Sequence, residues 1–166
     1  MKWNLKIVGY DEFGKVIYEF EQQDLGTKQF AQLCQLNILD TAETITDTSN
    51  TGRALTVNNA AIVPTIIAGT GTTTPTVLDY NLTTPTAGAS GTVAATINAY
   101  SGSGASGNFT VTGTITNSSG SSITYAEVGI TVTVATYVFL ITHDTFTGVA
   151  IPNTGLLGIT YTCTVD

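Results

Sequence analysis

Residues 108–117 read NFTVTGTITN, and their side chains alternate in character with a period of two. Phe109, Val111 and Ile115 point one way and the threonines the other. Successive side chains of an extended chain leave on opposite faces, so this is the pattern of a half-buried strand. Threonine suits the outer face, because its branched Cβ is at ease on a pleated surface. The same alternation returns at 159–165, ITYTCTV, with Ile159, Tyr161, Cys163 and Val165 inward.

Working outward, further apolar runs fall between glycine-rich turns such as SGSGASG (101–107) and NSSGSS (117–122). Strands are expected at Ala61–Ala68, Val93–Tyr100, Phe109–Thr116, Ile123–Ala135, Tyr137–Thr142 and Leu156–Val165. Short strands with frequent turns predict a mainly β chain, an antiparallel β-sandwich of jelly-roll or immunoglobulin-like type.

The first forty residues differ. WNLKIVGY (3–10) and KVIYEF (15–20) flank the turn-forming DEFG, which predicts a β-hairpin. Trp3, Leu5 and Ile7 share one face of its first arm; Val16, Tyr18 and Phe20 share one face of its second, with Phe13 at the tip. A lone two-stranded ribbon is marginal in water, so this one must dock. It is expected to be an arm that grips a neighbouring chain. TKQFAQLCQLNIL (27–39) switches to helical spacing, with Phe30, Leu33, Cys34 and Ile38 on one stripe and Thr27 as N-cap. The expected organisation is an arm and short helix over 1–40, a linker over 41–60 with a short extended piece at Ala54–Val57, and a sandwich over 61–166.

Composition narrows the function. Hydrophobic residues make up 42% of the 166, charged residues only 10%, and the net charge is −7. All five basic residues (Lys2, Lys6, Lys15, Lys28, Arg53) lie in the first third. Nucleic-acid binding needs cations to displace phosphate counterions, so no nucleic-acid partner is expected. MKWNLKIVGYDEFGK lacks the apolar core of a secretory signal, and no apolar run approaches the ~18 residues of a membrane span, so neither is expected. Cys34 and Cys163 have no metal-site or pairing pattern and read as small hydrophobes. Few Lys and Pro blunt the strands, which leaves their edges open to pairing.

Chemistry is sparse. IIAGTGTTTPTVLDYNLTTPT (66–86) has the glycines of a nucleotide loop but no lysine, and Pro75 blocks the helix such a loop needs. Gly69 and Gly71 are read as turn formers. Glu127, an acid inside an apolar strand, is read as a structural acceptor for backbone amides, and Asp79 has no obvious second acid for glycoside hydrolysis. His143, the only histidine, is expected at the surface near a strand end. A hydrolase built on it lacks a nucleophile elbow. No catalytic residue, cofactor or metal is expected.

AGTGTTTPTVLDYNL (68–82), FTVTGTITNSSGSSITYAEVGI (109–130) and FLITHDTFTGVAIPNTGLLGITYT (139–162) follow one another in an order that resembles a recurrent family of tailed-bacteriophage structural proteins. The matching positions are Gly69, Thr70, Gly71, Asp79 and Leu82; Asn117, Gly120, Glu127, Val128 and Gly129; then Pro152 and the strand ending near Thr162. TKQFAQLCQL (27–36) is similar to the segment after that family's N-terminal hairpin, whereas the Thr/Gly-rich stretch 84–107 departs from it. The resemblance implies a β-sandwich virion component without catalysis, present in many copies and bound to itself and to other virion proteins, in the neck, tail or fibre base or as capsid cement. The alternative is a carbohydrate-binding or host-adhesion module, whose sugars would stack on Tyr80, Tyr100, Tyr125, Tyr137 or Tyr161.

Overall fold

The computed structural model describes residues 2–24, 26–39, 42–56, 63–103 and 106–165. Two antiparallel sheets make a sandwich-like body. Hairpin strands β1 (Lys2–Tyr10) and β2 (Val16–Asp24) are followed by helix α1 (Lys28–Leu39). A short hairpin, β3 (Glu43–Thr46) and β4 (Gly52–Leu55), comes next, then β5 (Val63–Gly69), β6 (Thr92–Ala94), β7 (Thr96–Ser103), β8 (Ser106–Thr116), β9 (Ile123–Val134), β10 (Tyr137–Ile151) and β11 (Leu156–Val165). One sheet has the order β2-β1-β11-β8-β7, the other β10-β9-β5-β6.

The alternation of the two opening stretches is realised. Val111 and Ile115 on β8 are buried, Phe109 packs against the core, and Ile159, Tyr161 and Cys163 on β11 are buried. The Val165 and Ile38 side chains lie outside the described residues, as do residues 61 and 62 of the strand expected at 61–68. The run expected as one strand over 93–100 is two. The chain leaves β5's sheet after Ala94 and enters β8's sheet at Thr96. β10 runs nine residues beyond the expected Thr142, to Ile151.

The hairpin is not a separate arm. β1 pairs with β11 along its whole length, from Lys2↔Thr164 to Tyr10↔Leu156. The inward residues meet in register: Trp3 opposite Cys163, Leu5 opposite Tyr161, Ile7 opposite Ile159. Trp3, Leu5 and Ile7 are 6%, 0% and 0% exposed within the chain's own core, so no other chain reaches them. Period two records which face of a ribbon is apolar but not which edge receives it, and β11 offered a matching face. Tyr18 and Phe20 on β2 stack on one another and on Phe146. Only Phe13 (85% exposed) and Val16 (50%), at the hairpin's tip, remain as large exposed surface among the expected interface residues. The boundary drawn between 1–40 and 61–166 therefore cuts through one sheet.

The expected linker carries structure too. Ile45 on β3 and Leu55 on β4 are buried in the main core. Asp47, between these strands, accepts from the Ser49 and Thr51 amides and from Arg53 Nε at 2.6 Å, which closes the turn. α1 packs Leu33 and Leu36 into the core. Thr27 caps it, its hydroxyl accepting weakly from Phe30 N at 3.4 Å and donating to Leu140 O at 2.6 Å, so the cap also fastens the helix to β10.

Candidate functional site

Between β5 and β6 the chain makes a long excursion, residues 70–85, that begins and ends at one isolated bridge between Gly69 and Pro85. Ile66 and Ala68 of β5 belong to the main core, whereas Ile67 joins Leu82 and Leu140 in a separate small cluster. Neighbouring strand residues face opposite sides, so this excursion lies as a strap across the outer face of the β10-β9-β5-β6 sheet. The 70–85 strap, not a ligand loop, is what the nucleotide-like glycines serve.

Glu127 on β9 stands opposite Gly69 in register and is 0% exposed. Its Oε1 accepts from Gly71 N at 3.1 Å and Thr84 N at 2.6 Å, and its Oε2 from Thr83 N at 2.9 Å. The carboxylate thus satisfies both ends of the strap. Gly69 and Gly71 are glycine because that carboxylate lies against them: a Cβ would stand 2.4 Å from Oε1 at Gly69, and 2.7 Å from both oxygens at Gly71. Neither has the positive φ of a turn glycine, so close approach rather than backbone conformation demands them.

His143 is buried, 4% exposed, rather than at the surface. Its Nδ1 lies 2.6 Å from Asp79 Oδ2 and its Nε2 3.1 Å from Glu127 Oε2. Asp79 is set by its own turn, accepting from Thr76 N at 2.9 Å and Thr76 Oγ1 at 2.7 Å. Burial alone would raise the Asp79 carboxyl, but the Thr76 hydrogen bonds and the His143 ring outweigh it and hold the group below the usual carboxylate range. Asp144, the next residue on β10, turns to the other face, where its oxygens accept from Gln22 Nε2 at 2.7 Å and Tyr161 Oη at 3.0 Å. A cavity of about 210 Å³ lies alongside, lined by Pro75, Thr76, Val77, His143, Asp144 and Gln22 among others.

The structure thus brings Gly69, Gly71, Asp79 and Glu127 together around a residue the sequence reading had set apart. Strict alternation from Leu140 would put His143 on the core face; the register shift at Leu140/Thr142 turns it to the strap side with Leu140, so no local period marks it. Both ring nitrogens are engaged by carboxylates, so neither is free to take a proton from a nucleophile. Among the described residues, no group of three His, Cys, Asp or Glu side chains is placed to hold a metal ion. No described helix is long and apolar enough to cross a membrane. Tyr125 and Tyr161 are 0% exposed, and burial pushes the Tyr125 hydroxyl up to about 12, so neither ring offers a face to a sugar.

No family model, no curated protein and no solved structure matches this chain.

Proposed function

We propose that the chain is a non-enzymatic structural component of a tailed-phage virion that assembles in multiple copies through its strand edges. The order of the Gly-Thr-Gly, Asn-to-Glu-Val-Gly and Pro-turn elements supports the virion assignment. The observation that carries the mode of assembly is the edge strand β7.

Each of the two larger sheets has two edges, and three of these four are guarded. β2 carries Glu19 and Glu21, tied to Lys6 at 2.6 and 3.2 Å. β10 is covered in part: Ile141 O accepts from Thr27 N, Val138 O accepts from Thr48 N, and Thr142 bridges Gly26. β6 is three residues long. β7 is eight residues long, carries no charge and exposes Ile97 (54%) and Tyr100 (62%). A register irregularity between Asn98 and Ser101 bends it but leaves a stretch on either side. Charges, brevity and cover are the ordinary means of keeping an edge from pairing, and β7 has none of them. No charged residue occurs between Asp79 and Glu127, so the whole β6–β8 side is neutral. A chain of net charge −7 approaches its own copies at least cost there.

Sedimentation tests this. The wild type is expected to form multimers, and Ile97→Lys to shift it towards monomer without changing its circular dichroism. A wild type that stays monomeric at high concentration overturns the reading, and so does a lysine variant that assembles as well as the parent.

A further inference from the structure

The strap is held by little apolar contact. Leu82 alone of its side chains is buried against the sheet, with Ile67 and Leu140, while Val77, Leu78 and Tyr80 are exposed. Its backbone bonds outside its own turns include Thr70 N to Thr84 O and Lys28 N to Val77 O, with Thr86 N to Ala68 O closing its root. Asn81 Nδ2 reaches Thr48 O at 3.4 Å. The rest of its fastening converges on one chain of ions: Asp79 in the middle of the strap, His143 on β10, Glu127 on β9 and the three strap amides that Glu127 receives.

The charges around His143 come from every element that packs on it. The strap supplies Asp79 and β9 supplies Glu127. On β10 itself, Asp144 faces away, towards Gln22 and Tyr161. α1 meets the strap through the backbone N–H of Lys28. From Ala54 onward the chain has no Lys or Arg, so His143 is the only basic side chain in that stretch. With a carboxylate oxygen at each nitrogen, the ring makes both hydrogen bonds only when it carries both protons. A neutral ring sets a lone pair against one of the two carboxylates, one of them fully buried.

We propose that His143, carrying both ring protons, is the clasp of the 70–85 strap, and that the strap opens as one unit when that charge is removed. Opening leaves the main core intact, because the two sheets are joined on the opposite face. It uncovers Ile67 and Leu140 and frees the amides of Gly71, Thr83 and Thr84 together.

Nuclear magnetic resonance of the wild-type chain reads both halves of the proposal. With the strap closed, both ring nitrogens of His143 are expected to carry a bonded proton, one to each carboxylate. The amides of Gly71, Thr83 and Thr84 are expected to exchange with one common protection factor, lower than that of β8 and β11. His143→Gln, which donates to one carboxylate at most, is expected to lower protection of the three amides by about tenfold or more and leave β8 and β11 unchanged. If the variant fails to fold, the wild-type measurements decide alone. A single ring proton on His143 in the closed chain, unrelated exchange rates for the three amides, or full protection of those amides in a folded His143→Gln chain overturns the proposal.

Discussion

Asp79 shows how much a single carboxylate does when its neighbours are fixed. It is three-quarters buried at the side chain, yet its proton affinity is lowered because Thr76 and His143 bond its charged form. A carboxyl with a folded-state value below its unfolded one, ~3.9, adds stability that is complete above that value. The contribution disappears as pH falls through the lower, folded-state value. Asp79→Asn keeps the size of the side chain but removes its charge and one acceptor. Its cost at neutral pH is expected to be about 1–3 kcal/mol, the worth of hydrogen bonds to a charged group. Below about pH 4 the wild type should begin to approach the variant, because the carboxyl of the unfolded chain then takes up a proton that the folded chain still resists. Urea unfolding of both chains across that range measures the gap. A gap that stays constant into acid sinks the account, since it would mean that the charge of Asp79 contributes nothing.

At the scale of elements, the hairpin decides between a docking arm and a piece of the body. Leu5 lies on an interior strand at 0% exposure, and Phe13 at the hairpin's tip is 85% exposed. Leu5→Ala is expected to cost about 2–5 kcal/mol, a core deletion, and Phe13→Ala to stay within about 0.5 kcal/mol. Denaturant midpoints compare them, and a Leu5→Ala chain as stable as the parent would return β1 to the role of a detachable arm. The same elements show what was legible. Alternation in 108–117 and 159–164 marks the inward residues Phe109, Val111, Ile115, Ile159, Tyr161 and Cys163, because a two-residue period is set by the strand itself. It carries no record of the partner strand, so it points the ribbon of Trp3, Leu5 and Ile7 at a neighbour, whereas β11 of the same chain receives it. β10 was cut short at Thr142 because the residues that follow, His143 and Asp144, are both polar and both buried, one on each face of the sheet. The irregularity between Thr145 and Val149 then breaks the period. Gly69, Gly71, Asp79 and Glu127 each looked unusual alone. That they meet depends on a strap returning across a sheet, a long-range event with no local periodicity to announce it.

At the scale of the whole molecule, charge and neutrality are segregated. Every Lys and Arg lies before Ala54, the stretch from Tyr80 to Ala126 has no charge, and the total is −7. In the proposed assembly, two such chains repel at long range and the neutral sides that present β7 supply the hydrogen bonds and apolar contact on touching. Salt separates these two effects, because it shortens the reach of charge from ~30 Å at about 0.01 M to ~8 Å at about 0.15 M without weakening neutral contacts. Self-association through β7 is therefore expected to strengthen on that change, by about tenfold in dissociation constant, in sedimentation equilibrium. An interface built instead on the β2 edge, where Lys6 is held between Glu19 and Glu21, would exchange ion pairs between copies and weaken as salt rises. The sign of the salt dependence thus identifies the edge: assembly that loosens with salt removes β7 from the role, because that strand has no ions for salt to screen.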